Sequence, residues 1–195
     1  MSYHIYHTEA LILGGRAIGE GDRSLFCYTR ELGLVMAHAK SLRESRSKLR
    51  YALQTFAHAE IDLIRGKHGW RLISARPTHS HSELWRHASK RRILAHHAGL
   101  LERLIQGEER HEALFDDIVS GLKFLGDISD EMHLRAAELL LVVRLLAHLG
   151  YWEERETYAH LLADAAWTQD MLLSVDRDRP ALLLGVNTAL QASQL

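Results

Sequence analysis

The feature that most constrains the fold of this chain is a single change of hydrophobic period near Pro77. Before it, apolar residues come in short runs that alternate or carry β-branched and aromatic side chains; after it they recur at helical spacing. A chain that switches period once is expected to build a sheet first and a helical part second. The strand-like runs are Tyr3 to Leu13, closed by Gly14-Gly15; Leu25 to Thr29; Leu34 to Ala39, after a turn at Glu31-Leu32-Gly33; Phe56 to Ile64; and Trp70 to Ala75, after Gly66-Lys67-His68-Gly69. In the fourth run Phe56, His58, Glu60 and Asp62 are expected on one face, with Ala57, Ala59, Ile61 and Leu63 on the other. Five short strands punctuated by turn residues predict a five-stranded barrel of OB-fold type over residues 1–78. The fold class is therefore α+β, a barrel followed by an all-α domain over 79–195.

In the second part, Ser80 and Glu83 have capping-box spacing ahead of a helix that carries Leu84, Ala88, Leu94, Ala98, Leu101 and Ile105 and ends at Gly107. A second helix is predicted from His111 to Leu125. A third, Glu131 to Leu149, is apolar nearly all round and so is expected at the centre. Arg135, Glu138 and Arg144 interrupt it too often for a membrane span of about 20 apolar residues. Glu153 to Trp167 is predicted as a fourth helix, Asp176-Arg177-Asp178-Arg179 as a loop, and Pro180 to Leu195 as the last helix, with proline in its first turn.

Charge is divided along the same line. Residues 1–76 hold 12 Lys/Arg against 7 Asp/Glu, and residues 77–195 hold 12 against 18. The basic excess is densest from Lys40 to Arg50, where Lys40, Arg43, Arg46, Lys48 and Arg50 meet one acid, Glu44. Cations on a loop between strands suit a nucleic-acid groove, because each phosphate neutralised releases counterions. A solvated loop has the same composition, and composition leaves the two open. Arg16 and Arg23 are placed to extend the surface. Tyr28, Tyr51, Phe56 and Trp70 are candidates for base stacking, although most of them are expected in the core of a small barrel.

Other chemistry finds little support. Gly14-Gly15-Arg16-Ala17-Ile18-Gly19-Glu20-Gly21 has neither the dinucleotide nor the P-loop spacing and is read as a wide turn with a charged tip. Among fourteen histidines, His79/His81 and His96/His97 lack the helical i, i+4 spacing of a metal pair, and Asp116-Asp117 reads as a helix-surface pair, so no metal or cofactor is expected. The single cysteine, Cys27, has apolar neighbours, supports no disulfide framework and fits a reducing cytosol. Met1 to His7 lacks the basic region and apolar core of a secretory signal.

One resemblance is specific. Gly19-Glu20-x-Asp22-Arg23, Phe26, Thr29-Arg30-Glu31-x-Gly33, Ala39-Lys40 and Leu49-Arg50-x-x-Leu53-Gln54-x-Phe56 keep the order and spacing of the N-terminal domain of the bacterial recombination mediator RecO. Arg135-Ala136-Ala137-Glu138-Leu139 and Leu149-Gly150-Tyr151 resemble that family's buried helix and the turn after it. The resemblance implies a non-enzymatic, cytoplasmic, nucleoid-associated protein that binds single- and double-stranded DNA and anneals complementary strands. It also implies RecR, the acidic Phe-ended tail of single-strand-binding protein and, indirectly, RecA as partners. Phosphate contacts are expected from Arg16, Arg23, Lys40, Arg43, Arg46, Lys48 and Arg50. A basic rim for the tail is expected from Arg103, Arg135 and Arg144. Two departures stand out: residues 151–179 lack the four cysteines of the zinc module many members carry, and Ser41 stands where the family often has glycine. An RNA-binding OB module and an adaptor without DNA contact are the alternative readings.

Overall fold

The computed structural model describes residues 4–43, 49–79, 84, 86–105, 107–153, 156–163 and 166–193. Arg46 and Lys48, and the Ser80–Glu83 capping pair, lie outside them. Two compact units are formed, one from residues 1–82 together with Ile105–Glu112, the other from 83–104 and 113–195.

In the first unit, β1 (Ile5–Ile18), β2 (Asp22–Thr29), β3 (Gly33–Ala39), the short helix α1 (Leu49–Ala52), β4 (His58–Gly66) and β5 (Gly69–His79) follow in sequence. They close into a barrel of order β1-β2-β3-β5-β4, the expected OB-like arrangement. All pairings are antiparallel except β3 with β5, which are parallel and meet only at Ala37↔Trp70 and His38↔Arg71. Strand alternation fills the interior with Ile12, Leu25, Cys27, Val35, Ala37, Ile61, Leu63, Trp70 and Leu72. Burial pushes the Cys27 thiol up to about 12, which keeps it protonated and unreactive.

Three strand ends differ from expectation. β1 runs on through Gly14-Gly15 to Ile18, so the glycines do not form a wide turn. They serve a bulge between Ile12 and Gly14, and a close approach in which a Cβ on Gly15 would sit 2.5 Å from the Ser24 carbonyl oxygen. β5 likewise continues past Pro77 to His79. Pro77 is opposite Ala59 at a pairing irregularity, beyond the short contact with β3, so its missing N–H is not needed there. Phe56 precedes β4, buried in a turn with φ +62°.

In the second unit, α2 (Ala88–Leu104), α3 (Glu112–Asp127) and α4 (Glu131–His148) agree with the apolar periods. Asp130 caps α4, accepting from the His133 N–H at 2.9 Å, and Leu139 through Leu146 are all buried, as a central helix requires. Among the described residues of Glu153–Trp167, the expected helix is replaced by a 3₁₀ turn (Glu156–Tyr158) and a single helical turn, α5 (Ala159–Leu162). The Arg144 guanidinium of α4 takes the carbonyls of Leu161 (2.9 Å) and Ala166 (3.0 Å) in this segment. Thr168 then caps an unanticipated α6 (Gln169–Arg177), which absorbs half of the supposed Asp-Arg-Asp-Arg loop before α7 (Arg179–Ala192). No helix among the described residues is long and apolar enough to cross a membrane.

Candidate nucleic-acid interface

Barrel register decides which side chains share an outer row. Gly14, Phe26 and Met36 align across β1, β2 and β3; Arg16, Ser24, His38 and Arg71 align in the next row across β1, β2, β3 and β5. Phe26 is half-buried and Met36 is 48% exposed. A Cβ on Gly14 would meet nothing within 4 Å, so the surface at that position is open. The result is an apolar strip whose neighbouring row carries the exposed cations Arg16, which reaches Met36 Sδ at 3.8 Å, and Arg71. The β4–β5 turn adds exposed Lys67 and His68. A stacking surface with flanking positive charge is the composition that single-stranded nucleic acid requires.

The basic loop leaves this face at Ser41, whose φ of +53° lies in the left-handed region. For a residue with a Cβ that conformation costs roughly 1–2 kcal/mol, which explains why glycine suits this position. Asp22 offsets the cost: its carboxylate accepts from the Ser41 N–H at 2.8 Å and meets His38 Nε2 at 2.8 Å. The Ser41 bond holds the Asp22 carboxyl below its ordinary range; burial opposes this, and His38 and Lys40 reinforce it. Arg43 ties the loop to the β1–β2 turn, through its N–H to Gly21 O (2.9 Å) and its Nη1 to Gly19 O (3.0 Å). Arg23 stands on the inward-facing row at the barrel mouth, with Nη2 on Gly15 O at 3.0 Å. Lys40, Arg43 and Arg50 are exposed. Of the four aromatic candidates, Tyr28, Phe56 and Trp70 are core, while Tyr51 is 65% exposed beside Arg50 on α1.

Residues 1–81 match the family model described as Recombination protein O N terminal. The curated "DNA repair protein RecO" of Desulfitobacterium hafniense (strain DSM 10664 / DCB-2) is 31% identical over 147 residues, 75% of this chain and 52% of that protein. The protein of the same name from Heliobacterium modesticaldum is 31% identical over 150 residues, 77% and 53% of the two chains. Residues 1–81 thus match the N-terminal domain of the RecO family, and the similarity to RecO proteins extends over about three quarters of the chain. The chain spans about half the length of the curated relatives it matches. A shorter stretch of 64 residues reaches 42% identity with the RecO of Dehalococcoides mccartyi (strain 195), covering 33% of this chain and 25% of that one.

The three arginines expected around a partner pocket are placed differently. Arg103, in the last turn of α2, and Arg135, in α4, are exposed. Glu138 takes His96 at 3.2 Å and Arg92 at 4.0 Å. Arg144 is buried, and its guanidinium is spent on Asp117 (2.6 Å), on the Leu161 and Ala166 carbonyls, and on the face of Trp167 at 4.7 Å. It belongs to the core and is not a rim residue. Asp117 is correspondingly no surface partner of Asp116; it accepts from Arg144, from Trp167 Nε1 at 2.9 Å, and meets His148 at 3.2 Å. No group of three or more His, Cys, Asp or Glu suited to a metal ion occurs among the described residues. Sequence reasoning missed Phe26, Met36 and Arg71 as surface residues, because only cross-strand register sets Phe26 and Met36 in the row of Gly14 and Arg71 in the row of Arg16.

Proposed function

We propose that this chain acts without bond chemistry, as a DNA-binding recombination mediator in DNA repair. Single- and double-stranded DNA lie along the barrel, and complementary strands anneal there while its cations screen phosphate repulsion. The observation that carries this reading is the outer face, where the Gly14–Phe26–Met36 strip adjoins the row that holds Arg16 and Arg71, with the anchored Lys40–Arg43 entry to the basic loop as a further group of cations. Bases stack on the strip; Arg16, Lys40, Arg43, Arg50 and Arg71 hold phosphates, with Arg23 at the mouth, and Arg46 and Lys48, outside the described residues, are assigned the same role. RecR and the acidic tail of single-strand-binding protein are the proposed partners in assisting RecA, with Arg103 and Arg135 as the tail's cations.

Fluorescence anisotropy of a labelled oligothymidylate across a salt series tests the DNA reading. Binding is expected at low salt, and Lys40→Ala with Arg43→Ala should flatten the log–log salt slope by about 0.7 for each phosphate no longer neutralised. No binding at low salt, or an unchanged slope in the double variant, sinks it. A titration with an acidic Phe-ended peptide that produces no signal change rules out recognition of the tail.

A further inference from the structure

Between α2 and α3 the chain returns to the barrel unit as a strap, Ile105–Glu112. Its main chain is seated against β3 and β2. Gly107 O accepts from the Leu34 N–H at 3.2 Å, and His111 O lies 3.4 Å from the Tyr28 hydroxyl. Gly33, at φ +66°, lies so close that a Cβ would come within 2.3 Å of the Glu109 carbonyl oxygen. The strap thus runs along the part of β3 that β5 does not reach.

Its Glu108 side chain is held by two donors. Arg65, at the end of β4, gives Nη1 to both carboxylate oxygens, and Trp70 Nε1 donates to Oε1 at 2.9 Å. The Arg65 guanidinium lies over the Trp70 ring, 4.8 Å from its centroid, and Tyr6 meets that ring edge-on at 4.9 Å, which fixes it in place. Burial works to raise the Glu108 carboxyl, and the bonds from Arg65 and Trp70 override it, so the group is anionic. Yet both partners reach water, at 51% exposure for Arg65 and 43% for Glu108. A phosphate oxygen presents the same charge and acceptor geometry to a guanidinium as a carboxylate does. The surroundings are already cationic, with Lys67 and His68 in the adjoining turn and Arg71 next to Trp70 in the outer row.

We propose that Arg65 and the Trp70 indole N–H form a phosphate site at the β4–β5 end of the barrel face, which the Glu108 carboxylate occupies and a nucleic-acid phosphate takes over when the side chain swings out. The strap's main chain stays seated; only the carboxylate yields. Glu108 is then an internal competitor that weakens DNA binding by the fraction of time it holds the site. The DNA half of this inference rests on the function proposed above, while the anion site can be probed alone.

The test uses Glu108→Gln, which keeps an acceptor for Trp70 and removes the charge. By anisotropy with oligothymidylate at low salt, E108Q is expected to bind about threefold or more tighter than the unaltered chain, with a salt slope steeper by about 0.7. Adding Arg65→Ala should cancel the gain. Glu109→Gln removes an equal charge from the same strap without touching Arg65, and should give a clearly smaller gain. Independently of DNA, tripolyphosphate should shift the Trp70 indole N–H resonance in E108Q at concentrations that leave it unmoved in the unaltered chain. Equal affinity for E108Q and the unaltered chain, equal gains for E108Q and E109Q, or an indole resonance that tripolyphosphate does not move in E108Q would each overturn the site. Failure of all forms to bind DNA while the resonance still shifts would overturn the DNA reading and leave the anion site standing.

Discussion

The two units each contain one arginine, one carboxylate and one tryptophan in the same mutual arrangement. In the barrel unit Arg65 lies over Trp70, and both donate to Glu108. In the helical unit Arg144 lies over Trp167, and both donate to Asp117. The bonds match, with each indole N–H 2.9 Å from its carboxylate. Solvent separates them: the side chains of Arg144 and Asp117 are 4% and 5% exposed. Where water is excluded, removing one partner leaves an uncompensated charge, so the arrangement is fixed. Where water competes, the same groups can exchange partners at little cost. The chemistry of a side-chain cluster is thus insufficient to assign it a role; its solvation has to be read as well.

The sharpest way to break this comparison is Asp117→Ala. It strands the Arg144 guanidinium in the core and should cost roughly 3–5 kcal/mol by denaturant unfolding. A loss below about 1 kcal/mol would put the buried pair in the same class as an exposed one.

Acid should also act on the helical unit. His97 is buried, neither of its ring nitrogens has a hydrogen-bond partner among the described residues, and burial, helped by neighbouring His96 and opposed by Asp117, pushes its pKa down to about 4. The unfolded chain takes up that proton near the ordinary value of 6.5, so the unfolded state binds more protons between the two values. The stabilisation is complete above 6.5 and is lost as pH falls toward about 4, on the order of 3 kcal/mol at about 1.4 kcal/mol per pH unit. For Asp117, burial works to raise the carboxyl, and His148, Arg144 and Trp167 hold it below its ordinary 3.8. Its share is present above that value and drains away further below it. Urea midpoints measured from pH 7 to 4 should fall for the unaltered chain and stay nearly level for His97→Leu; parallel slopes would show that His97 does not drive the loss.

The smallest effect belongs to the exposed cluster. Glu108→Ala should change unfolding free energy by less than about 1 kcal/mol in the same assay. A loss of several kcal/mol would mean that the strap is held by this pair and that the two clusters play the same part.

The barrel was legible because its inward residues, such as Val35, Ala37 and Ala39 in β3, alternate over short distances. The ends of β1 and β5 were not, since Gly14-Gly15 and Pro77 look like punctuation until a bulge or a missing neighbour explains them. Helix α4 declared itself through composition alone, whereas the segment after it did not. The carbonyls of Leu161 and Ala166 answer to Arg144, and Asp117 answers to a residue 27 positions away. Such links across helices leave no local pattern. The basic loop was visible as charge, but the Phe26–Met36 strip depends on register, which alternation alone does not supply.

The seclusion of Cys27 has a practical side. It is the only cysteine of the 195 residues, has no exposed surface, and keeps its proton up to about 12. A cysteine engineered at an exposed position, such as Lys40 or Tyr51, would be the one thiol that a maleimide dye can reach at neutral pH. The chain is thereby suited to single-fluorophore reporting from its basic loop without prior removal of a native thiol.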